Sequence, residues 1–395
     1  MYRLQGRIQH YSWGGKTFLP GLLNQLNTDG NPFAEYWLGV HPGGPGLVHL
    51  SNGASTTLLN LIGSDKFKHL GPETTRAFNE LPFLLKILDV KDMLSIQVHP
   101  TKTMAKLGYD AEEQKGISLS APNRNYKDQN HKPEIMIALS DFWLLHGFSA
   151  DIEARLNRFS FLNAFLPQFQ SGGIKGLFEF LLSMPQEKVN EIISVQAKQI
   201  VPLYHAGQLE KDSPDFWAAR AILNICNDGQ YDKGIFSIYL MNILKLKTGD
   251  GIFQGAGVLH AYLEGQNIEL MANSDNVLRA GLTNKHIDIP ELLAQTSFVV
   301  TNPVIVHEIL NSNFCDYPCD TSDFQIQKMI IRAGEEKVLS YKGPTIALVL
   351  TGEADWVGAT KFHSAGLESV FIDPMEEVLI KAKTTIEIFI ATVPV

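Results

Sequence analysis

Two pairs of polar residues in this sequence have types and spacing that could bind a metal ion or move a proton. Gln97 and His99 are two residues apart in a short apolar run. Lys132 and Glu134 repeat this spacing around Pro133, which favours extended geometry in the residue before it. Side chains two apart on a strand project from one face, so each pair can aim its polar groups at one place. Each pair alone would also fit a solvated strand edge or a surface salt bridge.

A third candidate lies in a glycine-rich turn that is followed by a strand opening with His260. This stretch resembles the second sequence motif of the cupin superfamily, with Gly249, Gly257 and His260 in the order and spacing of the motif. It departs from the motif at two positions, because Gly255 stands in place of its Pro and Glu264 in place of its Asn. The motif's histidine binds a metal, so the resemblance implies a metal ligand at His260.

The candidate ligands form a set that suits Zn²⁺, which accepts imidazole nitrogen and hard oxygen donors. Two imidazoles, one carboxylate and one amide oxygen make up this set: His99, His260, Glu134 and Gln97. Because it includes no thiolate, we expect a catalytic rather than a structural metal site. Two histidines and one carboxylate also describe the Fe(II) facial triad, so the ligand types alone leave the metal open.

The fourth candidate combines carboxylates and cations in one segment. It holds Glu269 and Asp275 together with Arg279 and Lys285. Within it, Met271–Thr283 resembles the signature segment of the type I mannose-6-phosphate isomerase family. Other segments resemble the same family in its order along the chain, while the tail beyond residue 300 matches it only in general character. These segments are Tyr11–Gly14, Ala34–Gly39, Pro82–Lys86, Ser95–Pro100, Asn130–Glu134 and His260–Gly265.

The resemblance implies both a reaction and a binding site. The family interconverts mannose 6-phosphate and fructose 6-phosphate through a cis-enediol(ate) intermediate. For this chain it implies one Zn²⁺ bound by the four ligands above and a small-molecule phosphosugar substrate. It also places six side chains around that substrate: Lys132, Tyr262, Glu269, Asp275, Arg279 and Lys285.

The implied reaction gives the cations separate roles. We expect Arg279 to stabilise the negative charge that develops on oxygen during the reaction. We expect Lys285 and Ser95 to bind the phosphate, because a charged clamp fixes the orientation of the substrate. The remaining substrate-binding candidates are Trp13 and Tyr262.

A general base must also remove a proton bound to carbon. Lys132, Glu269 and Asp275 are all chemically able to do so, and the sequence leaves the three open. Lys132 would need a lowered pKa to act as a base, which burial beside a metal ion and Arg279 would supply.

Short apolar segments bounded by turn residues dominate the chain outside its middle part. Leu81–Val90, Ile235–Leu246 and Thr345–Leu350 are of this kind and predict strands. The segment from 107 to 130 is polar and irregular instead, which predicts a lid that closes over the substrate, a binding loop or a disordered stretch.

The middle part of the chain has a different spacing of apolar residues, which predicts helices. Apolar residues recur three or four apart in 151–158, 187–194 and 216–223. Asn227–Gly229 is a helix-stop signal that closes this region, and one more short helix is predicted near 290–295.

These patterns predict a mainly β fold of cupin-type β-barrel or jelly-roll domains with an inserted α-helical unit. The catalytic cupin domain would comprise residues 1–149 and 231–300, with the helical insertion at 150–230. A cupin-like β domain would follow at 301–395.

The composition limits the possible partners. The formal net charge of −9 gives no electrostatic reason to expect nucleic-acid binding, although a few Lys and Arg can still form a positive pocket. No apolar run reaches the ~18 residues that a membrane helix needs, and no signal-peptide pattern opens the chain. We therefore expect a monomer or weak homo-oligomer without a membrane partner.

Cysteine usage indicates a reducing compartment, because the chain contains only Cys226, Cys315 and Cys319. We therefore expect a cytoplasmic protein. Cys315 and Cys319 are four apart, but no second Cys or His pair lies near them in the sequence to complete a metal site.

Two other functions fit parts of the pattern. An Fe(II) oxygenase of the cupin type would use His99, Glu134 and His260 but would leave Lys132, Arg279 and Lys285 without a role. A non-catalytic sugar-binding cupin would bind a ligand without converting it. A coupled assay for fructose 6-phosphate formation, combined with metal analysis, separates the three.

Overall fold

The computed structural model describes residues 1–50, 52–227, 229–308 and 313–395. The first strands are β1 Tyr2–Gln5, β2 Arg7–Gln9, β3 Glu35–Gly39, β4 Leu47–His49, β5 Ser55–Thr57, β6 Phe83–Val90, β7 Ile96–Val98, β8 Glu134–Ala138 and β9 Phe142–Phe148. Between them lie the helices α1 Phe18–Leu22, α2 Leu58–Ser64, α3 Lys66–Ala77 and α4 Lys102–Gln114.

Helices then form the middle of the chain. They are α5 Ile152–Arg158, a 3₁₀ segment Ser160–Phe165, α6 Leu166–Ser183, α7 Gln186–His205, α8 Pro214–Ile225 and α9 Gly234–Leu240. The remaining elements are β10 Met241–Leu246, β11 Gly251–Gln254, β12 His260–Ala272, β13 Leu278–Gly281, α10 Ile289–Gln295, β14 Ile305–Val306, β15 Phe314–Tyr317, β16 Gln325–Ile331, β17 Glu336–Leu339, β18 Thr345–Val349, β19 Glu353–Val357, β20 Lys361–Ala365, β21 Glu368–Ile372, β22 Val378–Ala382 and β23 Ile386–Thr392.

Three sheets organise the described strands, and strands at 32% of the chain slightly exceed helices at 29%. The eleven-stranded sheet runs β14-β11-β8-β12-β6-β3-β2 and takes in β7, β9, β10 and β13 through β12. The eight-stranded sheet runs β15-β16-β23-β18-β21-β1-β4-β5, so strands from the first 60 residues pair with those of the C-terminal region. The smallest sheet runs β17-β22-β19-β20. The pairings are antiparallel, and none of these sheets closes into a barrel within the described chain.

Strand β12 is the central strand of the eleven-stranded sheet, because it pairs along its length with β6, β7, β8 and β9. His260, at its start, lies opposite Gln97 on one side and His146 on the other. Glu269, near its end, lies opposite Lys86 and Met136. Residues directly opposite each other share a face of the sheet, so these pairings decide which side chains meet.

In β12, the alternation of side chains between the two faces of the sheet is interrupted between Tyr262 and Glu264, where the register against β9 shifts. Gly265 follows with a φ of +133°, and a Cβ atom there would lie 2.6 Å from the Phe142 ring. Glycine is therefore required at this position, both for the backbone conformation and for the close approach of β9.

The helical middle packs on the outer side of β9 and β10 through a shared apolar core. In α7, the buried residues Val189, Ile193 and Ile200 recur at helical spacing. Phe178 of α6 contacts Phe148 of β9 edge-to-face, with ring centroids 5.4 Å apart. The predicted helices at 151–158, 187–194 and 216–223 are confirmed within α5, α7 and α8, and the one near 290–295 is α10.

Two sequence expectations are wrong. The run Ile235–Leu246 is strand only from Met241, because Gly234–Leu240 forms α9 with every residue buried. A segment buried on all sides has no periodicity to distinguish a helix from a strand. The loop expected over 107–130 begins as helix, since α4 starts at Lys102 with the Thr101 hydroxyl accepting from the Met104 N–H at 3.3 Å.

The predicted helix stop is partly outside the described residues, since Asp228 is one of those left out, while α8 ends at Ile225. Within the described part of the chain, no helix is both long and apolar enough to cross a membrane.

Candidate active site

Three predicted ligands converge in the interior beside the start of β12. The ligand atoms of His99, Glu134 and His260 all lie within 4.8 Å of one another. Nε2 of His99 is 3.3 Å from Glu134 Oε1, and Nε2 of His260 is 3.3 Å from Glu134 Oε2. All three residues are buried. Such a cluster places two nitrogen donors and one oxygen donor around a single point.

Hydrogen bonds to the main chain orient both imidazoles. Nδ1 of His99 lies 2.8 Å from the Asn276 carbonyl, and Nδ1 of His260 lies 3.0 Å from the Val258 carbonyl. With each Nδ1–H donated to a carbonyl, each Nε2 carries the lone pair that a metal ion needs.

Unpartnered polar atoms in the cluster test whether a metal ion fits. His99 Nε2 and Glu134 Oε2 are buried without a hydrogen-bond partner within the described chain. Buried polar atoms are normally paired, and a cation at this point would satisfy both. Burial, with the charge of Lys132, lowers the pKa of His99 to about 4, so the ring is neutral at pH 7 as a ligand must be. The residues present therefore fit a divalent metal.

Gln97 lies between this cluster and a cavity. On β7 it faces His260 of β12, and its amide nitrogen is 3.3 Å from His260 Nε2. Rotating the amide by a half-turn would place its oxygen there instead, and the two orientations have nearly the same shape. The side chain is half-buried and also lines the cavity, so it can contact both a metal and a ligand.

The cavity has a volume of about 530 Å³ and brings predicted substrate-binding residues together. Burial lowers the pKa of Arg279, and burial together with Arg279 lowers the pKa of Lys285. Neither cation has an ion pair within the described residues, which suits an anionic ligand. Five residues from the sequence prediction line the cavity: Trp13, Ser95, Gln97, Arg279 and Lys285.

Lys132 lies beside the cluster. Its Nζ is 3.0 Å from Glu134 Oε1, and the residue is buried, so the two side chains share a face as their spacing indicates. Burial opposes ionisation of Glu134, but Lys132 and His99 hold its pKa well below the usual range. The carboxylate is therefore charged and available as a ligand.

Glu269 belongs to a separate buried ion-pair network. Lys86 Nζ lies 2.9 Å from Glu269 Oε2 and 3.4 Å from Glu35 Oε2. The Tyr262 hydroxyl donates to Glu269 Oε1 at 2.8 Å, and burial raises the pKa of Glu269. Tyr262 and Glu269 are thus held by each other and by Lys86, away from the lining of the cavity.

Lys86 and Glu35 were missed from the sequence. A signal was present, because Lys86 interrupts β6, whose eight residues are all buried, and a lysine is almost never fully buried without a partner.

Asp275, the remaining candidate, lies outside the cluster of metal ligands. Its carboxylate is 56% exposed and lies 3.2 Å from His41 Nε2, outside the lining of the cavity.

Comparisons with known proteins agree with one another. Residues 1–150 match the family model of the phosphomannose isomerase type I catalytic domain. Mannose-6-phosphate isomerase of Escherichia coli is 35% identical over 381 residues, which cover 94% of each chain. Its counterpart from Salmonella typhimurium is 35% identical over 365 residues, or 90% of each chain.

A solved structure extends the similarity to three dimensions. The Salmonella typhimurium enzyme, bound to fructose 6-phosphate and zinc, superimposes with a TM-score of 0.87 and 31% identity over 100% of both chains. Identity and coverage of this extent establish common descent over the whole length. The chain belongs to the type I phosphomannose isomerase family.

Proposed function

We propose that this enzyme is a zinc-dependent aldose–ketose isomerase that interconverts mannose 6-phosphate and fructose 6-phosphate. The observation that carries the proposal is the junction at Gln97, where the buried cluster of His99, Glu134 and His260 meets a cavity lined by the cations Arg279 and Lys285. The related Salmonella typhimurium enzyme binds zinc and fructose 6-phosphate, which supports both the metal and the substrate.

One Zn²⁺ per chain would be held by Gln97, His99, Glu134 and His260. When bound, it would supply a Lewis acid that polarises oxygen atoms of the sugar. An Fe(II) oxygenase could use the same histidines and carboxylate, but it would have no use for the cationic cavity beside them.

Arg279 and Lys285 are assigned to different parts of the substrate. Arg279 of β13 lies opposite Gln97 of β7, so we assign it to the sugar oxygens beside the metal ligands. Lys285 follows six residues later on the cavity wall, and we assign it with Ser95 to the phosphate. Trp13 completes the substrate-binding set from the cavity wall. Tyr262, predicted from the sequence for the same set, is buried and hydrogen-bonded to Glu269 and does not line the cavity.

The chemical step would pass through a cis-enediol(ate). A base takes the proton from carbon 2 of the open-chain aldose, and the electron pair of that bond forms the C1–C2 double bond. The charge passes to the oxygen on carbon 1, where Arg279 stabilises it. The hydroxyl proton on carbon 2 then passes to the oxygen on carbon 1, and return of the first proton to carbon 1 gives the ketose.

We assign proton transfer to Lys132, because it is the candidate in contact with a metal ligand, Glu134. Glu269 is engaged by Lys86 and Tyr262, and Asp275 by His41. Lys132→Met should therefore reduce kcat far more than Asp275→Asn. The reverse order would transfer the role to Asp275.

The proposal includes the architecture. A cupin-type catalytic unit of residues 1–149 and 231–300 would carry the site, with the helical insertion at 150–230 on its outer side. Residues 301–395 would form the second cupin-like β domain. Support comes from the helices α5 to α8, which interrupt the strands between β9 and β10.

A coupled assay for fructose 6-phosphate formation tests the function. We expect zinc-loaded protein to convert mannose 6-phosphate, and free mannose far less well, because Lys285 and Ser95 recognise the phosphate. Lys285→Met should raise KM for the phosphosugar only. Binding of mannose 6-phosphate without turnover would instead indicate a non-catalytic sugar-binding protein.

A further inference from the structure

A histidine–aspartate contact joins the C-terminal region to the segment that carries Lys132. Nε2 of His131 lies 2.9 Å from Oδ2 of Asp323, which is almost completely buried at 1% exposure. The two residues are 192 apart in the sequence. Among the described residues, Asp323 is the one that forms a hydrogen bond with the His131 side chain.

Hydrogen bonds to main-chain carbonyls hold the segment on both sides of this contact. The Asn130 carbonyl accepts from the side-chain amide Nδ2 of Asn276 at 2.8 Å. The Pro133 carbonyl accepts from the Ala272 N–H at 3.1 Å. His131 and Lys132 lie between these two hydrogen bonds. The contact between the His131 ring and Asp323 therefore fixes this short stretch.

Asp323 is itself firmly placed. The Thr321 hydroxyl donates to the same oxygen, Oδ2, at 2.9 Å. Phe324, the next residue, is fully buried in the core that includes Ile135 of β8. Although burial opposes it, the hydrogen bond from His131 keeps the pKa of Asp323 below its usual range. The carboxylate is thus a rigid, charged acceptor behind the site.

We infer that Asp323 is a positioning residue for the isomerase reaction, acting through His131 to fix Lys132 against Glu134. The C-terminal region then contributes to catalysis and not only to stability. The inference rests on the proposed function, since it needs a reaction in which the position of Lys132 matters. A shift of the order of 1 Å in a reacting group can lower a rate by about 10²-fold.

The molecule contains a matched control for this contact. His69 of α3 and Asp373 also join the two regions through a buried histidine–aspartate pair, with Nδ1 2.7 Å from Oδ1. That pair leads to no residue of the candidate site. Asp373→Asn therefore removes an equivalent charge and inter-region contact without touching the segment of Lys132.

The experiment compares Asp323→Asn with Asp373→Asn in zinc-loaded full-length protein. Zinc content, melting temperature, kcat and KM for mannose 6-phosphate are measured on each. We expect both variants to melt at lower temperature and to keep their zinc. Asp323→Asn should lower kcat by about 10- to 100-fold with KM changed by less than about twofold, while Asp373→Asn keeps kcat near that of the parent.

A more conservative substitution controls for misfolding of the Asp323→Asn variant. Thr321→Val removes the hydroxyl that supports Oδ2 while keeping the side-chain shape, so it should lower kcat in the same direction by a smaller factor. In a His131→Gln background, Asp323→Asn should lower kcat no further, because its effect passes through that ring.

The outcomes separate the two proposals. A parent protein without isomerase activity refutes the proposed function itself. An active parent in which Asp323→Asn and Asp373→Asn have equal kcat, or in which Asp323→Asn acts fully without His131, overturns the positioning role.

Discussion

Arg279 lies directly opposite Gln97 across the β7–β13 pair. Neighbouring strands are about 4.8 Å apart, so the guanidinium and the candidate metal ligand project from one face at one level of the sheet. This relationship puts a permanent positive charge beside Gln97, and in the proposed function that charge would face the oxygens of the sugar.

Arg279→Ala should lower kcat by about 10²–10³, because a donor aimed at developing charge contributes most in the transition state. KM should rise less. Arg279→Lys should restore only part of the loss, since an ammonium cannot reproduce the planar fork. Kinetics, zinc content and melting temperature are measured together. If folded, zinc-loaded Arg279→Ala keeps nearly normal kcat, Arg279 is structural.

His99→Ala and His260→Ala should each lose most of the zinc and the activity, because each removes one nitrogen donor from the cluster. Metal analysis after dialysis against a mild chelator checks this. His307→Ala is the control, since His307 is exposed and pairs with Asp250 away from the cluster. Full activity in rigorously metal-free parent protein would contradict a zinc requirement.

The metal-free protein should lose stability as the pH falls from about 6.5 to about 4. Burial lowers the pKa of His99 and of His146 to about 4, whereas an unfolded chain protonates histidine near 6.5. In this window the unfolded state binds more protons, so the free energy of unfolding decreases by up to the order of 3 kcal/mol per ring.

Urea denaturation of the metal-free protein at several pH values measures that slope. His146→Gln removes one of the two rings and should reduce the slope by about half. A free energy of unfolding that stays constant from pH 7 to pH 5 would show that neither ring has a lowered pKa.

Lys86→Met should reduce the free energy of unfolding by about 3–5 kcal/mol, because it leaves Glu269 and Glu35 buried without their cation. Lys188→Met is the control. Lys188 pairs with Glu191 on the surface of α7, where both side chains are more than half exposed, and its loss should cost less than about 1 kcal/mol. Equal denaturation midpoints for the two variants would refute the buried network.

Local spacing was enough to indicate the ligands but not their neighbours. Gln97 with His99, and Lys132 with Glu134, share faces because a strand alternates every two residues, which can be counted in the sequence. Glu269 meets Lys86 from 183 residues away, through a pairing of β6 with β12 that no local pattern specifies.

The same limit explains the misjudged elements. Gly234–Leu240 has no polar face because the insertion covers one side and the sheet the other, so its apolar run fitted a strand equally well. Asp323 carried no signal at all, since its partner His131 is 192 residues away in the sequence.

The register shift in β12 has a consequence for how sequences of this kind should be aligned. Tyr262 and Glu269 are seven residues apart, an odd number that would put them on opposite faces of a regular strand, yet they are hydrogen-bonded. The irregularity before Gly265 changes the parity: even-numbered side chains face the site before it and odd-numbered ones after it. An alignment that moves a one-residue gap from before Gly265 to the end of β12 would therefore exchange inward and outward residues over the rest of the strand.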